Sequence, residues 1–335
     1  MIKKQNDCLT EAVMDHGTEL HVVFGAGQVG PFLAQRLAQA GKEVRLVRRS
    51  AEDPGLDGVQ FARADAFDES SVVEAAGGAA VIYHCMNPAT YSAKAWGREL
   101  PLLQRNLVSA ARRLGARLVV LDNLYALGRT GGAPMTEATP ANPCSRKGEI
   151  RARLAREREA ANLQGDLRIA TGRAADFYGP RGVGTHFADR FFKPLLAGKP
   201  VAEVVNPDTP HTYHFIPDVA AGLAALGLDT EAAGVFNLPC QPAESTRDLA
   251  NRLAAAIQRP VVVQRMAPWL LKVLGLGMPI IKELGEMAYQ WEEPFLVDDG
   301  KFRARFGEVC ASRDEAARAT VAWGLATYGT TRHTA

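Results

Sequence analysis

The stretch "VVFGAGQVG", residues 22–30, decides the fold class. It sets Gly25, Gly27 and Gly30 in the spacing GxGxxG, directly after a buried apolar run and at the beginning of a helical pattern. Gly25 permits a tight turn, Gly27 lets the backbone approach a pyrophosphate, and Gly30 lets helix and strand pack closely. The spacing alone is a weak signal, but the strand–turn–helix context that the motif requires is present. The residues predicted to bind a dinucleotide here are Gly25, Gly27, Gln28, Val29 and Gly30.

Short apolar runs alternate with helical patterns over the first half of the chain. The predicted strands are residues 20–24, 43–47, 59–62, 80–84, 116–122 and 167–171. The predicted helices between them are residues 30–41, 68–76 and about 100–114. Repeated alternation of this kind predicts an α/β protein with a Rossmann-type, doubly wound parallel sheet.

The sequence pattern changes after "FYGPRG", residues 177–182, where Pro, Gly and charged residues become frequent. We predict a flexible N-terminal tail at residues 1–18 and a nucleotide-binding domain at residues 19–179. A smaller, mainly helical substrate domain is predicted at residues 180–328. Segments around residues 211–239 keep a strand–helix–strand pattern, and they are compatible with a return to the first sheet.

The composition excludes several classes of protein. A net charge of +2 over 335 residues gives no electrostatic basis for binding nucleic acid. The five cysteines are widely spaced and form no CxxC, so neither a zinc site nor a disulfide framework is indicated. No apolar run approaches the roughly 20 residues that span a bilayer, and the first residues lack the apolar core of a secretory signal. We predict a cytoplasmic protein with a small-molecule substrate and no metal, nucleic-acid or membrane partner.

The end of the second predicted strand indicates which dinucleotide is bound. An acidic residue there accepts hydrogen bonds from the ribose hydroxyls of NAD, but this chain has Arg48 with Arg49 beside it. Two arginines can hold a 2′-phosphate through charge-assisted hydrogen bonds. We therefore predict that NADP(H) is preferred over NAD(H). The alternative is that both arginines face solvent and that the site accepts either cofactor.

Several segments in order resemble the NAD-dependent epimerase/dehydratase family of the extended short-chain dehydrogenase/reductase superfamily. They are "ARADAFD", "VIYHCMNP", "RAADFYGPRG" and "HTYHFIPDVAAGL", and the resemblance covers about residues 19–310. It implies an NAD(P)-dependent oxidoreductase and a possible homodimer. The implied cofactor contacts are Asp65 and Ala66 at the adenine, and Cys85, Met86 and Asn87 at the nicotinamide ribose.

The resemblance fails at the catalytic residues. The family has Ser or Thr near the end of the fifth strand and Tyr-x-x-x-Lys on the next helix. That lysine favours the ionised tyrosine, whose ordinary pKa is about 10, and holds the nicotinamide ribose. Here Asn123 takes the serine position, Lys147 in "NPCSRKGE" fits the lysine, and Pro143 takes the tyrosine position. Because proline cannot titrate, the usual proton relay is absent and the chain resembles an atypical member. Lys147 could instead be one surface residue of a strongly charged helix.

Three accounts of the missing tyrosine stay open. Another residue could supply the proton, and a histidine is the easiest donor near pH 7. The protein could reduce a bond whose proton comes from water. It could also lack redox chemistry and serve as a non-redox isomerase, a cyclase or a cofactor-binding regulatory protein. The candidate catalytic residues are Asn123, Tyr125, Lys147, Tyr178 and His214, with His211 as a further possible donor.

The last third of the chain bears on the substrate. Residues 266–291 are rich in large apolar side chains and offer few basic ones, whereas the diphosphate of a nucleotide sugar needs cationic partners. The segment "RFFKP", which begins at Arg190, is the better candidate for an anion. The sequence therefore favours a small or apolar substrate over a nucleotide sugar.

Overall fold

The computed structural model describes residues 18–266 and 283–329. The strands in this part are β1 (Leu20–Phe24), β2 (Glu43–Arg48), β3 (Gln60–Arg63), β4 (Ala79–His84), β5 (Arg117–Asn123), β6 (Ile169–Ala174), β7 (Asp176–Tyr178), β8 (Val201–Glu203), β9 (Pro210–His211), β10 (Tyr213–Phe215), β11 (Gly234–Asn237), β12 (Glu244–Ser245) and β13 (Val263–Arg265). The α-helices in this part are α1 (Gly30–Gln39), α2 (Glu69–Ala75), α3 (Ala93–Leu114), α4 (Arg146–Gln164), α5 (Asp189–Leu196), α6 (Ile216–Leu228), α7 (Thr246–Ala256), α8 (Gly300–Phe306) and α9 (Arg313–Tyr328). Short 3₁₀ turns occur at Tyr125–Leu127 and Ala288–Trp291.

Seven strands form one parallel sheet, in the spatial order β11-β6-β5-β4-β1-β2-β3. The order runs outward in both directions from β1 and β4, so the connections cross to both faces of the sheet. This confirms the Rossmann-type fold class that the strand–helix alternation predicts. In such sheets, ligands bind beyond the carboxyl ends of the strands, near the point where the strand order reverses.

The alternation of side chains along β1 explains the layers on either side of the sheet. Val23 packs on one face with residues of α1 and α6, such as Leu33 and Val219. Val22 and Phe24 point to the other face and pack with residues of α3. Because both faces are covered by helices, the central strands are apolar throughout, as parallel sheets require.

The chain returns to the main sheet late in its course. After β10 and α6, the strand β11 pairs in parallel with β6, with Gly234 opposite Ala170. Part of the segment around residues 211–239 therefore lies in the first sheet. The remaining C-terminal elements, chiefly α5, α7 and α9, share a separate apolar core that includes Phe191 and Leu253. The predicted division at residue 179 stays a prediction. Most of the apolar residues singled out at 266–291 lie outside the described residues.

Candidate active site

The glycine turn after β1 has the space that a dinucleotide needs. Gly25 has a φ of 113°, and a Cβ on it would lie 2.7 Å from the carbonyl oxygen of Cys85. A Cβ on Gly30 would lie 1.8 Å from the carbonyl oxygen of Gly25, so α1 can begin only with glycine. A Cβ on Gly27 meets no atom within 4 Å, which leaves open space before the helix. The turn therefore fits a pyrophosphate, whose charge the helix N-terminus stabilises.

A first cleft lies at the carboxyl ends of β1, β2 and β4. The predicted cofactor residues that line it are Gly25, Arg48, Arg49, Asp65, Ala66, Met86 and Asn87. The amide of Asn106, on α3, donates to the carbonyl oxygen of Ala66 at 3.0 Å and fixes that loop. The sequence therefore identified side chains that the fold brings together at one edge of the sheet.

The other predicted cofactor residues occupy different places. Val29 is buried and packs in the core, so only its backbone belongs to the turn. Cys85 contributes the carbonyl that contacts Gly25, and burial raises the pKa of its thiol to about 12. Gln28 lines a second cleft and donates to the carbonyl oxygen of Val183 at 2.7 Å. The cofactor role of each remains a prediction.

Arg181 brings a further positive charge to the glycine turn. It has a φ of 65°, which is unusual for a non-glycine residue, and it follows "FYGP". Its Nε donates to the carbonyl oxygen of Gly27 at 3.2 Å, and its Nη2 donates to that of Ala26 at 3.4 Å. Burial and the nearby charge of Arg48 both lower the pKa of Arg181. The turn therefore lies beside two guanidinium groups.

A second cleft of about 370 Å³ opens at the carboxyl ends of β5 and β6. Asn87 and Pro88 line both clefts, so the two are joined at the end of β4. A volume of this size suits a small molecule. The polar and aromatic side chains that line it include Tyr91, Trp96, Asn123, Tyr125, Arg151, Asp176, His186, Arg190 and Trp291.

Two of the predicted catalytic residues lie in the second cleft. The Oδ1 of Asn123 accepts from the backbone amide of Tyr125 at 3.1 Å, which leaves its Nδ2 as a donor for a substrate carbonyl. The ring of Tyr125 stacks on Trp96, and its hydroxyl lies 3.3 Å from that of Tyr91. Burial and the neighbouring Tyr91 raise the pKa of Tyr125 well above its ordinary value. Tyr125 is therefore poorly suited to ionise.

Tyr178 and His214 do not line the second cleft. Tyr178 is buried and packs against Phe215, and burial raises the pKa of its hydroxyl. The Nδ1 of His214 accepts from the backbone amide of Ala175 at 3.0 Å, and its Nε2 lies 3.2 Å from the carbonyl oxygen of Leu238. Burial lowers the pKa of His214 to about 4, so the ring is neutral with both nitrogens occupied. Their positions argue for structural roles, because neither can meet a substrate there.

Lys147 lines neither of the two clefts. Ser145 caps α4 by accepting from the backbone amide of Gly148 at 3.0 Å, so Lys147 lies in the first turn. The Lys147 side chain is 0% exposed, and its Nζ donates to the carboxylates of Glu283 and Glu286, the latter at 3.1 Å. It also lies 4.7 Å from the ring centre of Tyr91. The prediction that Lys147 contacts the ribose stays untested, and this pairing argues against it.

Arg151, one turn further along α4, lies in the cleft instead. Its Nη1 donates to Oδ1 of Asp122 at 3.1 Å, and its Nη2 donates to Oδ1 of Asn87 at 2.5 Å. The guanidinium lies 4.8 Å from the ring centre of Trp96. Burial raises the pKa of Asp122, but Arg158 and Arg151 outweigh it and lower the pKa to about 2. A positive group is thus held at the junction of the clefts, and the sequence analysis missed it.

Two further polar pairs lie at the second cleft. Asp176 lines the cleft, and its Oδ2 lies 3.0 Å from Nε2 of the buried His211. The other ring nitrogen of His211, Nδ1, lies 3.2 Å from the carbonyl oxygen of Gln290. His186 also lines the cleft, with Nδ1 3.0 Å from a carboxylate oxygen of Glu203. Burial lowers the pKa of His186, but the bond to Glu203 leaves it above the ordinary value. Sequence analysis named His211 but not its partner, because residues 35 apart show no pairing signal.

Other kinds of site are absent from residues 18–266 and 283–329. No group of three or more His, Cys, Asp or Glu side chains there could hold a metal ion. Within the same residues, no helix is both long and apolar enough to cross a bilayer.

A parallel sheet of this order, with a glycine turn and clefts at its carboxyl edge, defines a Rossmann-type dinucleotide-binding protein. The chain belongs to the NAD dependent epimerase/dehydratase family, whose family model matches residues 21–238. This confirms the resemblance, and the cofactor class of the family is a nicotinamide dinucleotide. The match does not distinguish NADP from NAD.

Solved structures share the fold over nearly their whole length. One is WbmH from Bordetella bronchiseptica in complex with NAD+, 18% identical, with 93% of this chain and 100% of that chain covered and a TM-score of 0.70. Another is UDP-N-acetylglucosamine 4-epimerase from Bacillus cereus, 14% identical, with coverages of 91% and 96% and a TM-score of 0.73. A third is a UDP-glucose 4-epimerase complex with NAD from Thermus thermophilus, 21% identical, with coverages of 91% and 98% and a TM-score of 0.70. At these identities the likeness shows the fold alone. A comparison with curated protein sequences gave no significant match.

Proposed function

We propose that the protein is an NADP(H)-dependent oxidoreductase of the epimerase/dehydratase type that acts on a small molecule in the second cleft. The observation that carries the proposal is the junction of the two clefts at Asn87 and Pro88. Residues of the first cleft and the glycine turn would hold the adenine and pyrophosphate ends. Asn87 and Arg151 would hold the ribose at the other end. A bound nicotinamide supplies or accepts the hydride.

Arg151 rather than Lys147 would take the role of the family's lysine. It lies one helical turn after Lys147, as the lysine lies one turn after the tyrosine in Tyr-x-x-x-Lys. Counted back from Arg151, Lys147 takes the tyrosine position, whereas Pro143 lies before the capping Ser145 and outside the helix. On either count the tyrosine is absent, so the proton must come from another group.

The charges in the second cleft favour a small substrate over a nucleotide diphosphate sugar. Arg151 is already bonded to Asp122 and Asn87. Arg190 lines the cleft and has no hydrogen-bond or ion-pair partner among the described residues, which leaves one cation for a substrate anion. Asp176 adds a carboxyl group that a diphosphate would have to approach. A neutral or singly charged substrate fits this balance. Cytoplasmic location and a homodimer remain predictions from composition and resemblance.

The cofactor preference is tested by calorimetry on the parent protein and on Arg48→Asp. Arg48 lines the first cleft, and a charge-assisted bond to a 2′-phosphate is worth about 1.5–3 kcal/mol, so NADP(H) should bind at least about tenfold more tightly than NAD(H). Arg48→Asp should reverse the order. Arg105→Asp, which changes an exposed arginine of α3 outside both clefts, should leave it unchanged. Equal affinities in the parent would refute the preference.

Turnover is tested with NADPH at saturation against a panel of carbonyl, imine and enone compounds, followed by loss of NADPH absorbance. At least one compound should be reduced. Arg151→Ala should weaken binding of NADPH, whereas exposed Arg153→Ala on the same helix should not. Tight cofactor binding with no turnover of any compound would refute the oxidoreductase. It would favour a non-redox isomerase, a cyclase or a cofactor-binding regulatory protein.

A further inference from the structure

We propose that Asp176, backed by the buried His211, is the proton-transfer group that replaces the missing tyrosine. The inference rests on the proposed function, because it assigns a residue to that reaction. Asp176 lines the second cleft with a side chain that is 23% exposed, whereas the His211 side chain is 0% exposed. Substrate can therefore meet the carboxyl group and cannot meet the imidazole.

The hydrogen bonds of His211 fix the number of protons that the pair holds. The carbonyl oxygen of Gln290 only accepts, so Nδ1 at 3.2 Å must donate to it. Nε2 then faces Oδ2 of Asp176 at 3.0 Å, and one proton lies between them. The pair is either an imidazolium with a carboxylate or an imidazole with a carboxylic acid. Burial raises the pKa of Asp176, but the bond from His211 outweighs it and lowers the pKa.

Packing holds the imidazole in this orientation. The ring of His211 stacks on Trp291, with centres 4.7 Å apart and planes at 1°, and on Phe295, with centres 5.0 Å apart and planes at 13°. Both contacts restrict rotation about the side-chain bonds. A fixed imidazole behind an accessible carboxyl group is the arrangement that proton transfer needs, because the proton pathway is set before the substrate arrives.

The sheet register and the cleft lining place Asp176 at the same edge of the sheet as Asn123. Asn123, the last residue of β5, is opposite Ala174, the last residue of β6, and Asp176 follows two residues later. Both Asn123 and Asp176 line the second cleft at the carboxyl edge of the sheet. A substrate oxygen can thus accept from the Asn123 amide at the edge where Asp176 exchanges a proton.

The other titratable groups of the cleft are less suited. Tyr125 is less suited because burial and Tyr91 raise the pKa of its hydroxyl, and the Nζ of Lys147 is paired with Glu283 and Glu286. His186 lies on the loop after β7 and is bonded through Nδ1 to Glu203. His186 is therefore the alternative proton donor that the second test compares with Asp176.

In the oxidative direction, Asp176 would accept the proton of the substrate and the cofactor would accept the hydride. The O–H bond of a substrate hydroxyl breaks, and its proton bonds to the Asp176 carboxylate. The electron pair left on oxygen would become the second bond of the carbonyl, and a bound oxidised nicotinamide would accept the hydride that leaves carbon. In reduction the carboxylic acid returns the proton to the carbonyl oxygen. The hydrogen bond from His211 stabilises the carboxylate between these steps.

The first test uses nitrogen NMR of the cofactor-bound protein with labelled histidine, which needs no substrate. The Nδ1 of His211 should carry a proton, and a second proton should lie between its Nε2 and the Oδ2 of Asp176. Asp176→Asn should leave one, because an amide side chain offers the ring no negative charge. A parent protein in which no proton is shared between the two side chains would overturn the pairing.

The second test compares rates on a substrate found in the panel above. Asp176→Asn should lower kcat by about 100-fold or more while the affinity for NADPH stays within about twofold. His186→Gln and Tyr125→Phe should each retain activity within about tenfold. If the parent turns over a substrate and Asp176→Asn keeps its rate, the inference alone fails. If the parent turns over nothing in the panel, the proposed function fails and the inference with it.

The third test separates the positioning role of His211 from a structural one. His211→Gln removes the ring whose bond lowers the pKa of Asp176, so the acidic limb of the pH–rate profile should move upward by about 1–3 pH units. A purely structural role would lower activity without moving the profile, and that result would overturn the role of His211. The titratable groups that face Asp176 are His186, His211, His214, Tyr91, Tyr125, Tyr213 and Tyr289.

Discussion

Replacing Asp122 by Asn tests whether one buried carboxylate holds the floor of the active site together. The carboxylate is 2% exposed, and it accepts from the backbone amide of Asn123 at 2.8 Å and from the guanidinium groups of Arg151 and Arg158. Those two side chains are 6% and 4% exposed. Asn keeps the shape of the side chain and removes its charge. Two buried cations are then left without a counter-charge among these partners.

The expected cost follows from two independent magnitudes. The pKa of Asp122 falls from 3.8 to about 2 in the folded protein, which corresponds to about 2 kcal/mol of stabilisation. Removing one partner of a buried ion pair costs about 3–5 kcal/mol. We therefore expect Asp122→Asn to lower the free energy of unfolding by about 2–5 kcal/mol. For a chain of this length, this corresponds to a fall in apparent Tm of about 3–7 °C.

The assay is thermal and urea unfolding of the parent and the variant at pH 7 and at lower pH. Because the folded pKa is depressed, the stabilisation is present above the unfolded pKa of 3.8 and is lost as the pH falls through about 2. The difference between parent and variant should therefore shrink below pH 4. Asp208→Asn is the control. Arg247 donates to the Asp208 carboxylate at 2.6 and 3.1 Å, but the Asp208 side chain is 60% exposed. The free energy of unfolding should therefore change by less than about 1 kcal/mol. Equal small effects in both variants would refute the reasoning.

Two further variants test the turn and a buried carboxyl group. Gly30→Ala places a methyl group 1.8 Å from the carbonyl oxygen of Gly25 and should destabilise the protein by about 1–3 kcal/mol or more in urea unfolding. Gly27→Ala meets no atom within 4 Å, so it should fold normally and lose affinity for the dinucleotide in calorimetry. Unchanged affinity in Gly27→Ala would contradict the pyrophosphate site. Burial raises the pKa of Asp218 from 3.8 to about 7. The stability that the protonated carboxyl group contributes is therefore fully present below pH 3.8 and is lost as the pH rises through about 7. The free energy of unfolding of Asp218→Asn should therefore exceed that of the parent by about 2–4 kcal/mol at pH 8 and equal it near pH 4. An equal difference at both pH values would exclude burial of this carboxyl group as the cause.

The fold follows from local pattern because the decisive signals are local. The run Leu20–Phe24 and the glycine turn after it specify a buried strand and a helix start within eleven residues. The same alternation recurs at each following strand, and the predicted bounds differ from the observed ones by about one to three residues. α3 is longer than predicted, since it begins at Ala93 and continues through Pro101.

The cofactor side of the site was also accessible from sequence, for a topological reason. Arg48 is the last residue of β2, and Asp65 and Met86 lie two residues after β3 and β4. The carboxyl ends of parallel strands share one edge of the sheet. Identifying the strands was therefore enough to bring these side chains together. No measurement of distance was needed, because the sheet itself supplies the proximity.

The catalytic side was not accessible, because its partners are set by long-range packing. The spacing of "NPCSRKGE" places a lysine near a helix start, but the helix register depends on the cap at Ser145. That cap moves the cleft-facing position one turn later, to Arg151. Lys147 is drawn away by Glu283 and Glu286, more than 130 residues further on. No local pattern reports such a pairing.

The loss of the tyrosine and the change in the lysine explain each other physically. In the family, the lysine favours an ionised phenol as well as holding the ribose. Once no phenol is present, the cation next to the ribose need only bind, and a guanidinium bonded to both Asp122 and Asn87 does so with more fixed geometry than an ammonium group. The proton task then passes to a group with its own charge partner, which the Asp176–His211 pair has. Under the proposed function, the relay and the ribose contact, joined in one helix motif in the family, would be separated here between α4 and β7.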